Sequence, residues 1–71
     1  MVATPVESTT LSTVAYDPAG QLLRLEFRSR AVYCYCDVPS AVYQDLMEAD
    51  SKGSYFNRNI RGRFRYHRLA D

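Results

Sequence analysis

Six cations crowd the end of this chain. Lys52, Arg58, Arg61, Arg63, Arg65 and Arg68 stand in residues 51–71 against Asp71 alone, a net charge of +5. Five of the six are arginine, whose planar guanidinium forks onto phosphate oxygens; a surface charged only for solubility more often uses lysine. Tyr55, Phe56, Phe64 and Tyr66 are interleaved with them. Single-stranded nucleic acid is held by this mixture: cations track the phosphates and aromatic rings stack on the bases. On that chemistry Lys52, Arg58, Arg61, Arg63 and Arg65 contact phosphate, and Tyr55 and Tyr66 stack. The body of the chain offers a competing use for the same cations. Residues 1–50 carry Arg24, Arg28 and Arg30 against Glu7, Asp17, Glu26, Asp37, Asp45, Glu48 and Asp50, a net charge of −4. The arginines could pair with that acidic body, within one chain or between two copies, or stay solvated, since surface ion pairs are common and individually weak.

A second aromatic pair, Tyr33 and Tyr35, lies in the β-branched and aromatic run Ala31–Asp37, bounded by Arg28-Ser29-Arg30 and Pro39. Side chains alternate along a strand, so Val32, Cys34 and Cys36 share one face and Tyr33 and Tyr35 the other. The tyrosines are either a platform for bases or half-buried core anchors with their hydroxyls at the rim. Other chemistry finds few residues. Cys34 and Cys36 point the same way on one strand, poor geometry for a mutual disulfide, and one histidine, His67, does not complete a zinc set. Both thiols read as structural and reduced, which suits a cytoplasmic protein. No partner is placed by sequence to make His67 a general base, so the reading is of a protein that is not an enzyme and holds no metal or cofactor. Asn57 reads as a structural hydrogen-bonder. The N-terminus lacks the pattern of a signal peptide, and no stretch approaches a membrane span of ~20 apolar residues.

These residues need a scaffold, and 71 residues allow one domain whose core supplies roughly 3–5 kcal/mol. Met1–Thr10 reads as a mobile lead-in to a single domain over residues 11–71. Leu11–Tyr16 is a first strand, and Asp17-Pro18-Ala19-Gly20 a turn with Gly20 in the left-handed position. Leu22–Arg28 is a second strand with Leu23, Leu25 and Phe27 inward; the tyrosine run is the third. Pro39 opens a helix in which Val42, Leu46 and Ala49 recur at helical spacing, and Gly53 is its expected left-handed terminator. Ser54 then reads as the N-cap of a short second helix that docks Phe56 and Ile60 and ends at Gly62. Along 63–69, Arg63, Arg65 and His67 alternate with Phe64, Tyr66 and Arg68. The expected fold is α+β: a three-stranded antiparallel meander covered by a helix, a short second helix, and a basic C-terminal segment that either adds a strand or lies along the domain.

The chain resembles the KTSC domain family. The resemblance is carried by Val6-Glu7-Ser8, Val14-Ala15-Tyr16-Asp17, Leu23-Arg24-Leu25-Glu26-Phe27, Tyr33-Cys34-Tyr35, Val38-Pro39, Ser51-Lys52-Gly53-Ser54-Tyr55-Phe56-Asn57 and Ile60-Arg61. It departs from the family at Ala15, where Gly is usual, and at Arg30, where Gly is frequent. The family occurs as small bacterial proteins and as a C-terminal appendage of some lysyl-tRNA synthetases. The resemblance implies a role with nucleic acid, RNA ahead of DNA. It also implies that Tyr33 and Tyr35 face the core, leaving Cys34 and Cys36 on the more open face. The sequence thus points to a small non-catalytic RNA-binding module; the alternative is a protein-interaction module, with weak self-association through its acidic body and basic end.

Overall fold

The computed structural model describes residues 1–70. Its strands are β1 (Thr4–Pro5), β2 (Leu11–Asp17), β3 (Leu22–Phe27), β4 (Val32–Tyr35) and β5 (Tyr66–Ala70), with helices α1 (Ser40–Glu48) and α2 (Lys52–Asn59) between β4 and β5. All five strands form one antiparallel sheet in chain order. The expected meander is its centre. The basic end does add a strand, β5, against β4, and the lead-in contributes the short β1 against β2. Arg28 ties that lead-in down, donating from Nε to the Ser8 carbonyl at 3.1 Å and from a terminal nitrogen to that of Val6 at 3.4 Å.

The register explains which face is buried. Leu23 stands opposite Tyr16 on one side and Tyr35 on the other; Leu25 stands opposite Val14 and Tyr33. These residues therefore lie on one face, and the two leucines are fully buried there. The core apolar residues of β2, Leu11 and Val14, are three apart, which strict alternation would send to opposite faces. A register shift between Leu11 and Thr13 brings both to the core side, as a bulge must. Leu46 from α1, and Phe56 and Ile60 from α2, complete the core, with Val38 from the connection. Phe27 and Val42 are partly buried at its margin rather than sealed within it. α1 is further held at the sheet by Tyr43, whose ring stacks on Tyr16 at 4.8 Å and 8°, while the Tyr16 hydroxyl donates to the Val38 carbonyl at 2.6 Å.

Four local expectations are corrected. Asp17 does accept from the turn, from the Ala19 N–H at 3.1 Å, but the left-handed residue is Gln21 (φ 53°), not Gly20. Gly53 does not terminate α1; it is buried inside α2, where a Cβ would strike Thr10 Oγ1. The N-cap of α2 is accordingly Ser51, not Ser54: the Ser51 hydroxyl accepts from the Ser54 N–H at 3.3 Å. Cys36 lies beyond the end of β4 and is buried, so only Cys34 stands on the outer face. Arg30 has φ 77°, in the left-handed region that glycine adopts most readily. The turn it closes is held by the Phe27 N–H on the Ala31 carbonyl at 2.9 Å.

Two substitutions test this packing. Leu25→Ala should cost about 2–5 kcal/mol in chemical unfolding, a large share of what a domain of this size holds. Gly53→Ala should destabilise by about 1–3 kcal/mol despite alanine's better helix propensity, because the added methyl overpacks against Thr10. Thr10→Ala in the same chain should recover part of that loss.

Candidate functional site

Phe56 on α2 meets the sheet edge-on, its ring centroid 5.2 Å from Phe27 and 5.8 Å from Tyr35. Around this contact lies a cleft of about 430 Å³ between the end of α2, the β3–β4 turn and β5. Tyr35 and Phe56 are its buried floor, Phe27 and Tyr33 its half-buried walls, and Ser29, Asn57, Arg61, Gly62 and Tyr66 its exposed rim. None of the lining residues is acidic. The volume is that of a small-ligand site, and the lining combines aromatic surface with a few polar groups at the mouth.

The elements place these groups by simple rules. β5 pairs with β4 so that Tyr66 stands opposite Tyr35 and Arg68 opposite Tyr33. Tyr66 and Arg68 thus lie on the tyrosine face. The rings of Tyr33 and Tyr66 stack at 5.3 Å and 18°, and the Arg68 guanidinium lies 5.5 Å from the centroid of the Tyr33 ring. Asn57 in the last turn of α2 and Arg61 just past its end both line the cleft. The helix ends with Phe56 accepting from the N–H groups of both Ile60 and Arg61, and Gly62 (φ 74°) turns the chain toward β5.

Tyr35 is unusual among these residues. It is only 3% exposed, yet its hydroxyl makes no hydrogen bond among the described residues and is not sealed from solvent. It lines the cleft, so its hydroxyl is an unused hydrogen-bonding group there. Burial, helped by Tyr33 and Tyr66 and opposed by Arg61, pushes its pKa up to about 12, so the group remains an O–H donor well into the alkaline range.

The residues singled out from sequence do not all meet. Arg61, Tyr33, Tyr35 and Tyr66 share the cleft. Arg58 is exposed in the last turn of α2, and Arg63 is exposed on the connection that follows. Arg65 faces Asp37 at 3.9 Å, with both side chains largely in solvent. Lys52 is turned away, donating to the Ala49 carbonyl at the end of α1 at 3.2 Å. Tyr55 is half-buried, packs against the core and is pushed up in pKa by burial and by Asp45 of α1; it does not line the cleft. Arg58, Arg61 and Arg63 make no ion pair with Asp45, Glu48 or Asp50 among the described residues.

Two residues of this region were left out of the binding site that sequence reasoning assigned. Arg68 was legible from its place two residues after Tyr66 on one strand face. Asn57, expected to brace the helix, makes no side-chain hydrogen bond among the described residues; Asn59 does, from Nδ2 to the Tyr55 carbonyl at 3.2 Å.

On the other face, Ala15, Arg24, Cys34 and His67 stand opposite one another across four strands. Burial and Cys36 push the Cys34 thiol up and Arg24 only partly opposes them, which disfavours the reactive thiolate. Among the described residues no group of three or more His, Cys, Asp or Glu could hold a metal ion, and no helix is long and apolar enough to cross a membrane.

Fold and cleft together define a small α+β domain: two helices on one face of a five-stranded antiparallel sheet, with an aromatic hollow where α2 meets β5. The chain belongs to the KTSC domain family, whose model matches residues 7–64. A crystal structure of a KTSC domain protein from Yersinia pestis superposes with a TM-score of 0.94 at 34% identity, covering 96% of each chain. A protein of Tsukamurella paurometabola is 44% identical over 86% of this chain and 91% of its own length. A lysine–tRNA ligase of Nostoc is 41% identical over 90% of this chain, but that segment is only 11% of the ligase. The domain thus exists both alone and as a small part of a tRNA ligase.

The raised pKa of Tyr35 gives a pH signature. Its unfolded value is near 10 and its folded value about 12, so the folded state keeps its proton where the unfolded state has lost it. Stability from this group is fully present below about pH 10 and falls as pH rises toward 12, by at most about 2–3 kcal/mol. Alkaline unfolding curves of Tyr35→Phe should lack that component of the loss.

Proposed function

We propose that this domain is a non-catalytic RNA-binding module that holds single strands in the cleft and along its basic rim. The observation that carries this reading is the cleft itself. Exposed and half-buried tyrosines line a hollow free of carboxylates, with Arg61 at its mouth and Arg68 beside Tyr33. Arg58 and Arg63, exposed and close to Arg61 in the chain, are further cations available to the phosphates. Aromatic faces accept any base, and guanidinium groups accept any phosphate, so binding is electrostatic in origin and weakly selective overall. The occurrence of a homologous segment within lysine–tRNA ligases supports RNA over DNA. Lys52 and Tyr55, occupied at the α1–α2 junction, play no direct part in this arrangement.

The test is a chemical-shift titration with a short single-stranded RNA at several salt concentrations. Three or four cations engaged at about −0.7 each predict a slope of log affinity against log salt of about −2 to −3. Arg58→Gln with Arg61→Gln should flatten it by about 1–1.5 and weaken binding to all sequences alike. The fold should survive, because exposed charges contribute little to stability. Absence of shifts with RNA at low salt would sink the proposal. Self-association abolished by the same two changes would assign the arginines to a protein interface instead.

A further inference from the structure

Resting on the RNA-binding reading, we infer that the cleft is a receptor for one splayed-out adenine base, with Asn57 reading its edge and Tyr35 donating to it from the floor. Two unspent polar groups motivate the assignment. The Asn57 amide stands on the rim with no hydrogen bond among the described residues. The Tyr35 hydroxyl belongs to a side chain that is almost wholly buried, lines the cleft, and likewise has no partner. That hydroxyl is not sealed from solvent, so it stands open to a ligand in the cleft. Here the ring serves the core through Phe56 and Tyr66, while the hydroxyl serves nothing within the domain.

The chemistry of the pair selects among bases. An asparagine amide offers one acceptor and one donor side by side, the match for the N6 amino group and N7 of adenine. Guanine presents two acceptors at its O6 and N7 edge and suits arginine better. Tyr35 is protonated at neutral pH as any tyrosine is, and burial raises its pKa further. It therefore adds a donor for a ring nitrogen, where a phenolate would repel it. Tyr33 and Tyr66 already stack on each other, so the base enters beside that pair, between it and α2. Arg61, one helical turn beyond Asn57, is placed for the phosphate of the same nucleotide. The hollow holds a base, not a duplex, so the strand must present it unpaired.

The test compares hexa-adenylate with hexa-uridylate, reading affinity and the ring resonances of Tyr33, Tyr35 and Tyr66. Hexa-adenylate should bind about five- to tenfold more tightly, with the largest shifts at those rings and at the Asn57 amide. Asn57→Ala should bring hexa-adenylate down to the level of hexa-uridylate while the salt slope persists. Asn57 is exposed and alanine favours a helix, so the variant should melt no lower than the parent. Tyr35→Phe keeps the ring and should weaken hexa-adenylate a few-fold, with a melting temperature near the parent's at neutral pH. A preference for adenine that survives Asn57→Ala would reduce the effect to purine stacking and overturn the inference. So would equal affinity for both oligomers with the expected salt slope; these outcomes leave the RNA-binding reading standing. No binding to either oligomer at low salt would remove both.

Discussion

The seating of Phe56 against Phe27 and Tyr35 is the contact on which the rest of this small structure depends. It is the point where α2 touches the sheet, and it sets the helix's height and rotation at once. With Phe56 down, Ile60 a turn later is carried into the core and Gly53 a turn earlier is pressed onto Thr10. Asn57 and Arg61 are thereby turned to the cleft mouth and Arg58 to solvent. One aromatic contact thus joins the stability of the domain to the geometry of its candidate site.

The second constraint is that only one face of the sheet is covered by helices. A chain of 71 residues cannot afford two apolar layers, and the outer face is finished with Thr13, Arg24 and Glu26, the Thr13 hydroxyl donating to Glu26 Oε1 at 3.2 Å. The covered face takes Leu23, Leu25, Tyr33 and Tyr35, and β5 extends it with Tyr66 and Arg68 beyond the reach of the helices. The cleft is what remains where helical cover stops and the aromatic face continues. Its floor is core and its rim is surface, so the same tyrosines are both packing and lining.

That dual position answers the choice between platform and anchor raised by Tyr33 and Tyr35. Tyr35 is an anchor by burial, yet leaves its hydroxyl at the cleft; Tyr33 is half-buried, with Tyr66 on one side and Phe27 edge-on at 5.7 Å. The distribution of the cations is equally mixed. Lys52 serves a helix end and Arg65 an exposed acid. Arg61 reaches the cleft mouth and Arg68 the ring of Tyr33. A basic run in sequence is therefore several surfaces in space, because a helix, a turn and a strand each send their side chains in different directions.

The sequence by itself determined the elements whose periods are unambiguous. Alternation marked β3, a β-branched and aromatic run marked β4, helical spacing marked α1, and the Tyr66/Arg68 alternation marked a strand-like end, because such patterns are local properties of the chain. The Tyr33/Tyr35 pair, Val38-Pro39 and the run from Ser51 to Asn57 together also pointed to the family. What only the tertiary structure decided were matters of contact. Gly53 looks like a helix terminator in sequence, and only the approach of Thr10, 43 residues earlier in the chain, reveals it as a packing glycine inside α2. Ser51 became the cap once the helix began three residues sooner. Val14 joined Leu11 in the core only through a bulge, which pairing with β3 defines and β2 alone does not show. Asn57 and the Tyr35 hydroxyl were left without partners because of where α2 and β5 meet, a juxtaposition of residues far apart in the chain that no local pattern encodes.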